Sequence, residues 1–306
     1  MIIIGESIHI IAPKVRKAIE ARDTETIQRL AVAQVEAGAQ ILDLNIGPQK
    51  KRGVEVMEWL VEAIQDVVDV PLSLDTTNLA AIEAGLKRCK GKAIVNSASA
   101  EVERLEKVPA IAAKYGAGLV ALCMAKAGIP ITAEDRVGLA MEYLIPRAME
   151  VGIAMEDLYV DPLALTVSGC QEYAGPSIET VRYLKQAFDP APMTTIGLSN
   201  VSNSVPNENR SLLNRTYLVM LMAAGLDTAI AEAQDEALKE VLRIIEERDG
   251  STPVGQLLLN LYDATAAMEE LDPDLVDMND PDQADIYKTV RILTNQVIYA
   301  DSYLRM

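Results

Sequence analysis

The stretch ILDLNIG, residues 41–47, puts two kinds of residue on opposite faces of one strand. Leu42, Leu44 and Ile46 share one face, and Asp43 and Asn45 the other. If the apolar face meets covering helices, Asp43 and Asn45 point into a barrel, where a buried carboxylate needs a partner or a ligand. Structural hydrogen bonding inside the barrel serves as well as ligand contact for Asp43 taken alone. It becomes less adequate when other strands carry the same feature.

Five further segments run from apolar residues into a polar one at the C-terminal edge: PLSLDTTN (71–78), KAIVNSAS (92–99), EDLYVDP (156–162), TTIGLSNVSNS (194–204) and AGLDTAIAEA (225–234). As parallel strands of one sheet, they gather Asp43, Asn45, Asp75, Asn96, Asp161 and Asn200 around one cavity, hydrogen-bonding and acidic, with no basic residue among them.

Eight apolar segments can be placed, at 2–5, 41–46, 71–75, 93–97, 119–124, 158–161, 194–199 and 226–230. Apolar residues three or four apart mark helices over 54–68, 78–89, 100–116, 133–152 and 177–188. Gly38, Gly85, Gly116, Gly152 and Gly225 fall near the ends of such patterns, where a left-handed cap turns the chain toward the next strand. Eight strand-helix repeats fit a closed (β/α)8 TIM barrel, and strands buried on both faces explain GLVALCM (118–124) better than period-two alternation. An open doubly wound sheet is the alternative, but no GxGxxG or GxxxxGK[ST] follows any strand.

The repeat loosens after residue 247. RDGSTPVGQ reads as a turn, VGQLLLNLYDATAAMEEL as a helix, DPDLVDMNDPDQAD as an acidic loop and 284–303 as a last helix. The expectation is one domain over 1–306, with an insertion at about 250–283.

Asp and Glu outnumber Lys and Arg by 45 to 28, which argues against nucleic acid or an anionic membrane as partner. Cys89, Cys123 and Cys170 are odd in number and lack metal-ligand or CxxC spacing, so a reducing, cytoplasmic setting is expected. The N-terminal MIIIGESIHII lacks the features of a secretory signal, and charges break every apolar run before membrane-spanning length.

Asp75, Asn96 and Asp161 each close a strand at the end where barrel enzymes keep their sites. An ionised Asp accepts twice and an Asn both donates and accepts, so together they suit the edge of a flat heterocycle such as an aminopyrimidinone. Capping of the following helix is the competing role for Asp75, since DTTNLAAIEAG has the look of a cap. Asn200 opens VSNSVPNENR, expected as a polar loop over the pocket. His9 is the only histidine, so a multi-histidine metal site is impossible and no metal site is expected. Lys and Arg are missing from the ends of the seventh and eighth strands, which disfavours Schiff-base and phosphate chemistry.

At these residues the chain resembles the pterin-binding methyltransferases that move a methyl group between methyltetrahydrofolate and the cobalt of a corrinoid protein. The resemblance lies in IIIGE, AGAQILDLNIGP, LDTTNLAAIEAGLKRCKGKAIVNSASAE, MEDLYVDPL, DPAPMTTIGLSNVSN and LLNRTYLVMLMAAGLDTAIAEAQDEAL, and covers nearly everything outside 250–283. It implies a (β/α)8 barrel, a homodimer, 5-methyltetrahydrofolate or tetrahydrofolate as substrate, and a corrinoid (cobalamin) carried by a partner protein. It implies that Asp75, Asn96 and Asp161 bind the pterin ring and that Asn200 approaches N5, with Asp161 in support. The related dihydropteroate synthases place a Lys after the seventh strand and an Arg after the eighth, and this chain shows neither there. A pteroate-forming transferase and a non-catalytic pterin-binding protein stay open as alternatives.

Overall fold

A computed structural model describes residues 1–305. Eight parallel strands form one sheet: β1 (Ile2–His9), β2 (Ile41–Asn45), β3 (Leu72–Asp75), β4 (Ile94–Ser99), β5 (Gly118–Leu122), β6 (Leu158–Asp161), β7 (Met193–Thr194) and β8 (Thr228–Ala231). Their order, β7-β6-β5-β4-β3-β2-β1-β8, follows the chain around the circle, as a (β/α)8 barrel requires. The last gap, between β7 and β8, has one backbone bridge, at Gly197–Ile230, with Ile230 N–H donating to the Ile196 carbonyl at 2.8 Å, and Thr194 N–H and Oγ donate across it to Asp227 Oδ2 at 2.7 and 2.9 Å. β7 is far shorter than the expected 194–199, because the chain turns into a 3₁₀ segment at Leu198–Ser202.

The helices α1 (Pro13–Ala21) and α2 (Thr24–Glu36) follow β1, α3 (Gly53–Gln65) follows β2, α4 (Leu79–Arg88) β3 and α5 (Val102–Lys114) β4. After β5 come α6 (Ala133–Leu139), a π-helical turn at Ala140–Leu144 and α7 (Ile145–Glu150). A distorted turn, α8 (Val167–Cys170), and α9 (Ala174–Ala187) follow β6, and α10 (Asn207–Ala224) follows β7. After β8 the chain forms α11 (Glu236–Glu247), α12 (Pro253–Ala266) and α13 (Pro281–Leu293).

Strand parity sorts the core into two layers. Leu42, Leu44, Leu72, Leu74, Val95, Leu119, Ala121 and Val160 join the large cluster between strands and helices. Ile4, Ile41, Ile94 and Val120 form a separate buried cluster with Ile2, Tyr159 and Ile230, which plugs the barrel interior. One step further along the same inward faces the residues become polar, and that change of character makes a floor for the site.

Four of the five glycines expected at helix ends have positive φ: Gly38 (108°), Gly116 (63°), Gly152 (89°) and Gly225 (103°). Gly85 does not cap a helix. It lies inside α4, where an added Cβ would come within 2.7 Å of Met57 Cγ and 2.8 Å of Leu74 Cδ1, so its role is close packing of α4 against α3 and β3.

Beyond β8, the expected helix over 284–303 is α13, which begins at Pro281 and stops at Leu293. Gln171 receives the chain that follows, donating to Asn295 Oδ1 at 2.7 Å and the Val297 carbonyl at 2.8 Å. In α12, Leu257, Leu258 and Leu261 are fully buried, and α12 and α13 both pack on α10. The segment at 250–283 therefore adds to the barrel's own core.

Candidate functional site

The C-terminal ends of the strands open into a cavity of about 700 Å³, lined by Glu6, His9, Asn45, Asp75, Gly197, Ser199, Asn200, Asn203, Arg210, Glu232 and others. Of the six residues expected around one cavity, Asn45, Asp75 and Asn200 line it, whereas Asp43 and Asn96, inside β2 and β4, and Asp161, the last residue of β6, are buried behind the lining. A volume of this size suits a small organic ligand.

Asp43 sits on the inward face of β2, as its parity predicts. Ser73 Oγ donates to its Oδ1 at 2.6 Å and Asn96 Nδ2 to the same oxygen at 3.2 Å. Burial nevertheless pushes its carboxyl up to about 6, against the lowering effect of those two bonds. Beside it, Asn45 Nδ2 donates to Asp75 Oδ2, while Asn45 Oδ1 accepts from Gly47 N–H at 3.0 Å. Asp75 is raised well above the usual carboxylate range, first by desolvation and then by the neighbouring Asp43. Asp43, Ser73 and Asn96 thus form one hydrogen-bonded group and Asn45 and Asp75 another, on three adjacent strands and linked by the charge of Asp43 acting on Asp75.

Asp75 does not cap α4. That role belongs to Asn78, whose Oδ1 accepts from Ala81 N–H at 3.3 Å. The Asp75 carboxyl is consequently left to the cavity and to Asn45.

Asp161 stands apart from these groups, at the end of β6, with Leu163 N–H donating to its Oδ1 at 2.7 Å. Burial drives its carboxyl up to about 7, opposed by that bond and by the charge of Arg136. Asn200 lies at the rim, exposed, in the 3₁₀ turn after β7, the strand that pairs with β6. Its Oδ1 accepts from Asn203 Nδ2 at 3.2 Å, which leaves its own amide as a donor.

Three residues enter the site that the strand reading did not select. Glu6, in the second half of β1, accepts from Ser199 Oγ at 2.8 Å, and burial raises its carboxyl to about 7. Its signal was the one used for the other strands, an apolar run (IIIG) closing on a polar residue. Arg210 also lines the cavity, so the expectation that the pocket holds no basic residue is corrected. It arrives on the first turn of α10, within a stretch whose Asn, Ser and Pro content reads as loop, and its Nε donates to Ser202 Oγ at 3.3 Å. Arg104 is the third: it donates to the Ser97 carbonyl, and its charge acts on Asp75. The lone His9 lies in the lining, its imidazole lowered from its ordinary value by desolvation.

A pocket of raised carboxyls and amides at a barrel mouth suits a flat ligand rich in N–H groups. In agreement, a model of the family of pterin binding enzymes matches residues 13–232. The chain belongs to this family. It is 29% identical over 234 residues, 76% of this chain and 85% of the relative, to a methylcorrinoid:tetrahydrofolate methyltransferase of Eubacterium limosum. It is 31% identical over 258 residues to methionine synthase of Mycobacterium leprae, covering 81% of this chain but only 21% of that much longer protein. Among solved structures, it resembles a Yersinia pestis DHPS with a pterine-sulfa conjugate (TM-score 0.54, 18% identity, 78% of this chain and 92% of the other). It also resembles a dihydropteroate synthetase with product (TM-score 0.57, 17% identity, 81% and 94%). At such identities these two neighbours bear on the fold alone, the family's (β/α)8 barrel.

Among the described residues, no helix is long and apolar enough to cross a membrane, and no three His, Cys, Asp or Glu side chains cluster as metal ligands.

Proposed function

We propose that this chain is a methyltransferase that moves the N5 methyl group between 5-methyltetrahydrofolate and the cobalt of a corrinoid carried by a partner protein. The observation that carries the reading is the separation of two kinds of group at the barrel mouth: strand carboxyls, with Asp75 in the cavity lining and Asp43 and Asp161 buried, and a free amide donor, Asn200, at the rim. Asp75 and Asp161 would accept from the exocyclic amine and ring N–H groups of the pterin, with Asn96 completing the edge, Asp43 holding Asn96 and Asn45 holding Asp75. Each N–H donated to these carboxyls favours the ionised form that burial disfavours in the free protein, so ligand and pocket complement each other.

In the transfer, the Co(I) electron pair forms the Co–C bond as the C–N bond breaks, giving methyl-Co(III). The C–N electrons return to N5, which takes up a proton or an equivalent hydrogen bond. Asn200, as a donor, stabilises that developing nitrogen without itself titrating, and Asp161 supports it. Run backwards, the same groups serve methylation of tetrahydrofolate, so the activity is reversible. A homodimer acting in the cytoplasm, with its barrel mouths open to the corrinoid protein, completes the reading.

Arg210 favours one competitor, a pteroate-forming transferase, because a pyrophosphate leaving group needs a cation. Against this, Glu6, Glu232 and Asp235 line the same cavity and outnumber it. The deciding experiment mixes the purified protein anaerobically with 5-methyltetrahydrofolate and Co(I) cobalamin, then with candidate corrinoid proteins. Loss of the Co(I) band with growth of methyl-Co(III) is expected, and no pteroate from p-aminobenzoate and a pterin pyrophosphate. Pteroate formation, or pterin binding with no transfer to any corrinoid, would overturn the proposal.

A further inference from the structure

Among the described residues Arg136 is the largest fully buried side chain, yet it lies outside the barrel, on α6. Its donors all go to neutral oxygens. Nε donates to the Pro130 carbonyl at 2.8 Å, Nη1 to Ser177 Oγ at 2.6 Å and more loosely to the Leu163 carbonyl at 3.5 Å, and Nη2 to the Tyr173 carbonyl at 3.4 Å. The guanidinium also stacks on the Tyr173 ring, 5.6 Å from its centre. A buried cation without a carboxylate on its own donors needs a counter-charge nearby. The groups facing it are Asp161 from β6, Cys123 just after β5, Tyr173 before α9 and Tyr217 from α10, and among these Asp161 alone is a carboxyl.

The link between the two runs through one peptide. Leu163 holds a left-handed backbone, φ 70°, that a branched side chain rarely adopts. Its carbonyl accepts from Ser177 Oγ at 2.8 Å and from Arg136, while its N–H is the donor to Asp161 Oδ1. Ser177 has a single proton, so while it accepts from Arg136 it gives that proton to either Leu163 or Tyr173, whose carbonyl is 2.9 Å away.

We infer that Arg136 is a positioning residue for Asp161: with Ser177 it grips the Leu163 carbonyl, fixes that strained peptide, and so aims its N–H at one carboxyl oxygen while leaving the other for a ligand. The consequence for pterin affinity rests on the function proposed above; the coupling itself does not. Cys123 and Tyr217 also face Asp161, both raised by burial, so neither supplies a competing charge near neutral pH.

The test titrates the Asp161 carboxyl in the free protein, with ¹³C-labelled aspartate assigned by loss of its signal in Asp161→Asn. Ser177→Ala keeps the cation and removes the grip; Arg136→Lys keeps the charge and loses the fork; Arg136→Met removes both. We expect the midpoint to rise by about one unit in Ser177→Ala and further in Arg136→Met. A rise from about 7 cuts the ionised fraction at pH 7 about fivefold, and 5-methyltetrahydrofolate affinity should fall with it and recover at pH 9. If Arg136→Met does not fold, Ser177→Ala and Arg136→Lys decide the matter. An unmoved midpoint in both, in protein with unchanged near-ultraviolet circular dichroism, overturns the inference even if pterin binds. A moved midpoint in a protein that binds no pterin sustains it and instead removes the proposed function.

Discussion

Asn200 differs from the other polar residues of the cavity in what its neighbours leave free. Asn96 is bonded to Asp43 and Asn45 to Asp75, and Asp161 holds a backbone N–H, but the Asn200 amide packs over Gly197 with only its oxygen engaged. A Cβ on Gly197 would lie 2.7 Å from Asn200 Nδ2, so a side chain there would displace the amide from this position. A donor held at the rim contributes mainly where charge develops. Asn200→Ala should therefore slow methyl transfer at least about tenfold, with pterin affinity changed less than about threefold. Stopped-flow absorbance and a binding titration separate the two quantities, and equal losses in both would assign Asn200 to ground-state binding.

At the scale of elements, α4 shows how a helix is seated on its strand. Gly85 faces Met57 on α3 and Leu74 on β3, so Gly85→Ala has no room for its methyl and should destabilise by about 1–3 kcal/mol. A lowered denaturant midpoint would register this, while an unchanged one would mean that Met57 moves aside freely. The sequence marked Gly85 as a cap because spacing along the chain cannot distinguish a glycine ending a helix from one pressed against a sheet. The inward set of Asp43, Asn45, Asp75, Asn96 and Asp161 was legible, since strand parity and C-terminal position are local properties. Arg210 and Arg104 were not: each reaches the site from a helix that follows a strand, and a helix gives no local sign of which residue its first turn leans over the mouth. The early end assigned to the first strand hid Glu6, one residue beyond it. The break after Leu293 was hidden by apolar residues that continue to Tyr303, of which Tyr299 packs against the core outside any helix and Tyr303 from a short 3₁₀ turn at Asp301–Arg305.

The whole molecule carries its buried acids as a pH-dependent load. Asp43 is held at about 6 and Asp161 and Glu6 at about 7, above the values near 4 expected in the unfolded chain. Groups raised in this way stabilise the fold below pH 4, and the contribution is lost as pH rises through about 6 to 7. Surface carboxylates act oppositely: Asp249, lowered to about 2 by its bonds to Ser251 and Arg243, protects only until pH falls toward that value. A net charge of −17 adds repulsion on the alkaline side. The ligand-free protein should accordingly melt a few degrees higher at pH 5 than at pH 8, and Asp161→Asn should flatten the slope. Calorimetry across that range measures it; a midpoint that rises toward pH 8 would mean that the acids are ionised without cost. The barrel wall itself is uneven. Seven of its eight joints are strand ladders, while the joint between β7 and β8 has one backbone bridge, near the turn that bears Asn200, and is otherwise tied through side chains, Thr194 with Asp227 and Thr228. A seam tied through side chains gives more readily to shear than one tied by a backbone ladder. The rim beside β7 and β8 is therefore the part of the mouth with room to adjust, while the floor of carboxyls and amides on β2, β3 and β4, across the barrel from that seam, keeps its dimensions.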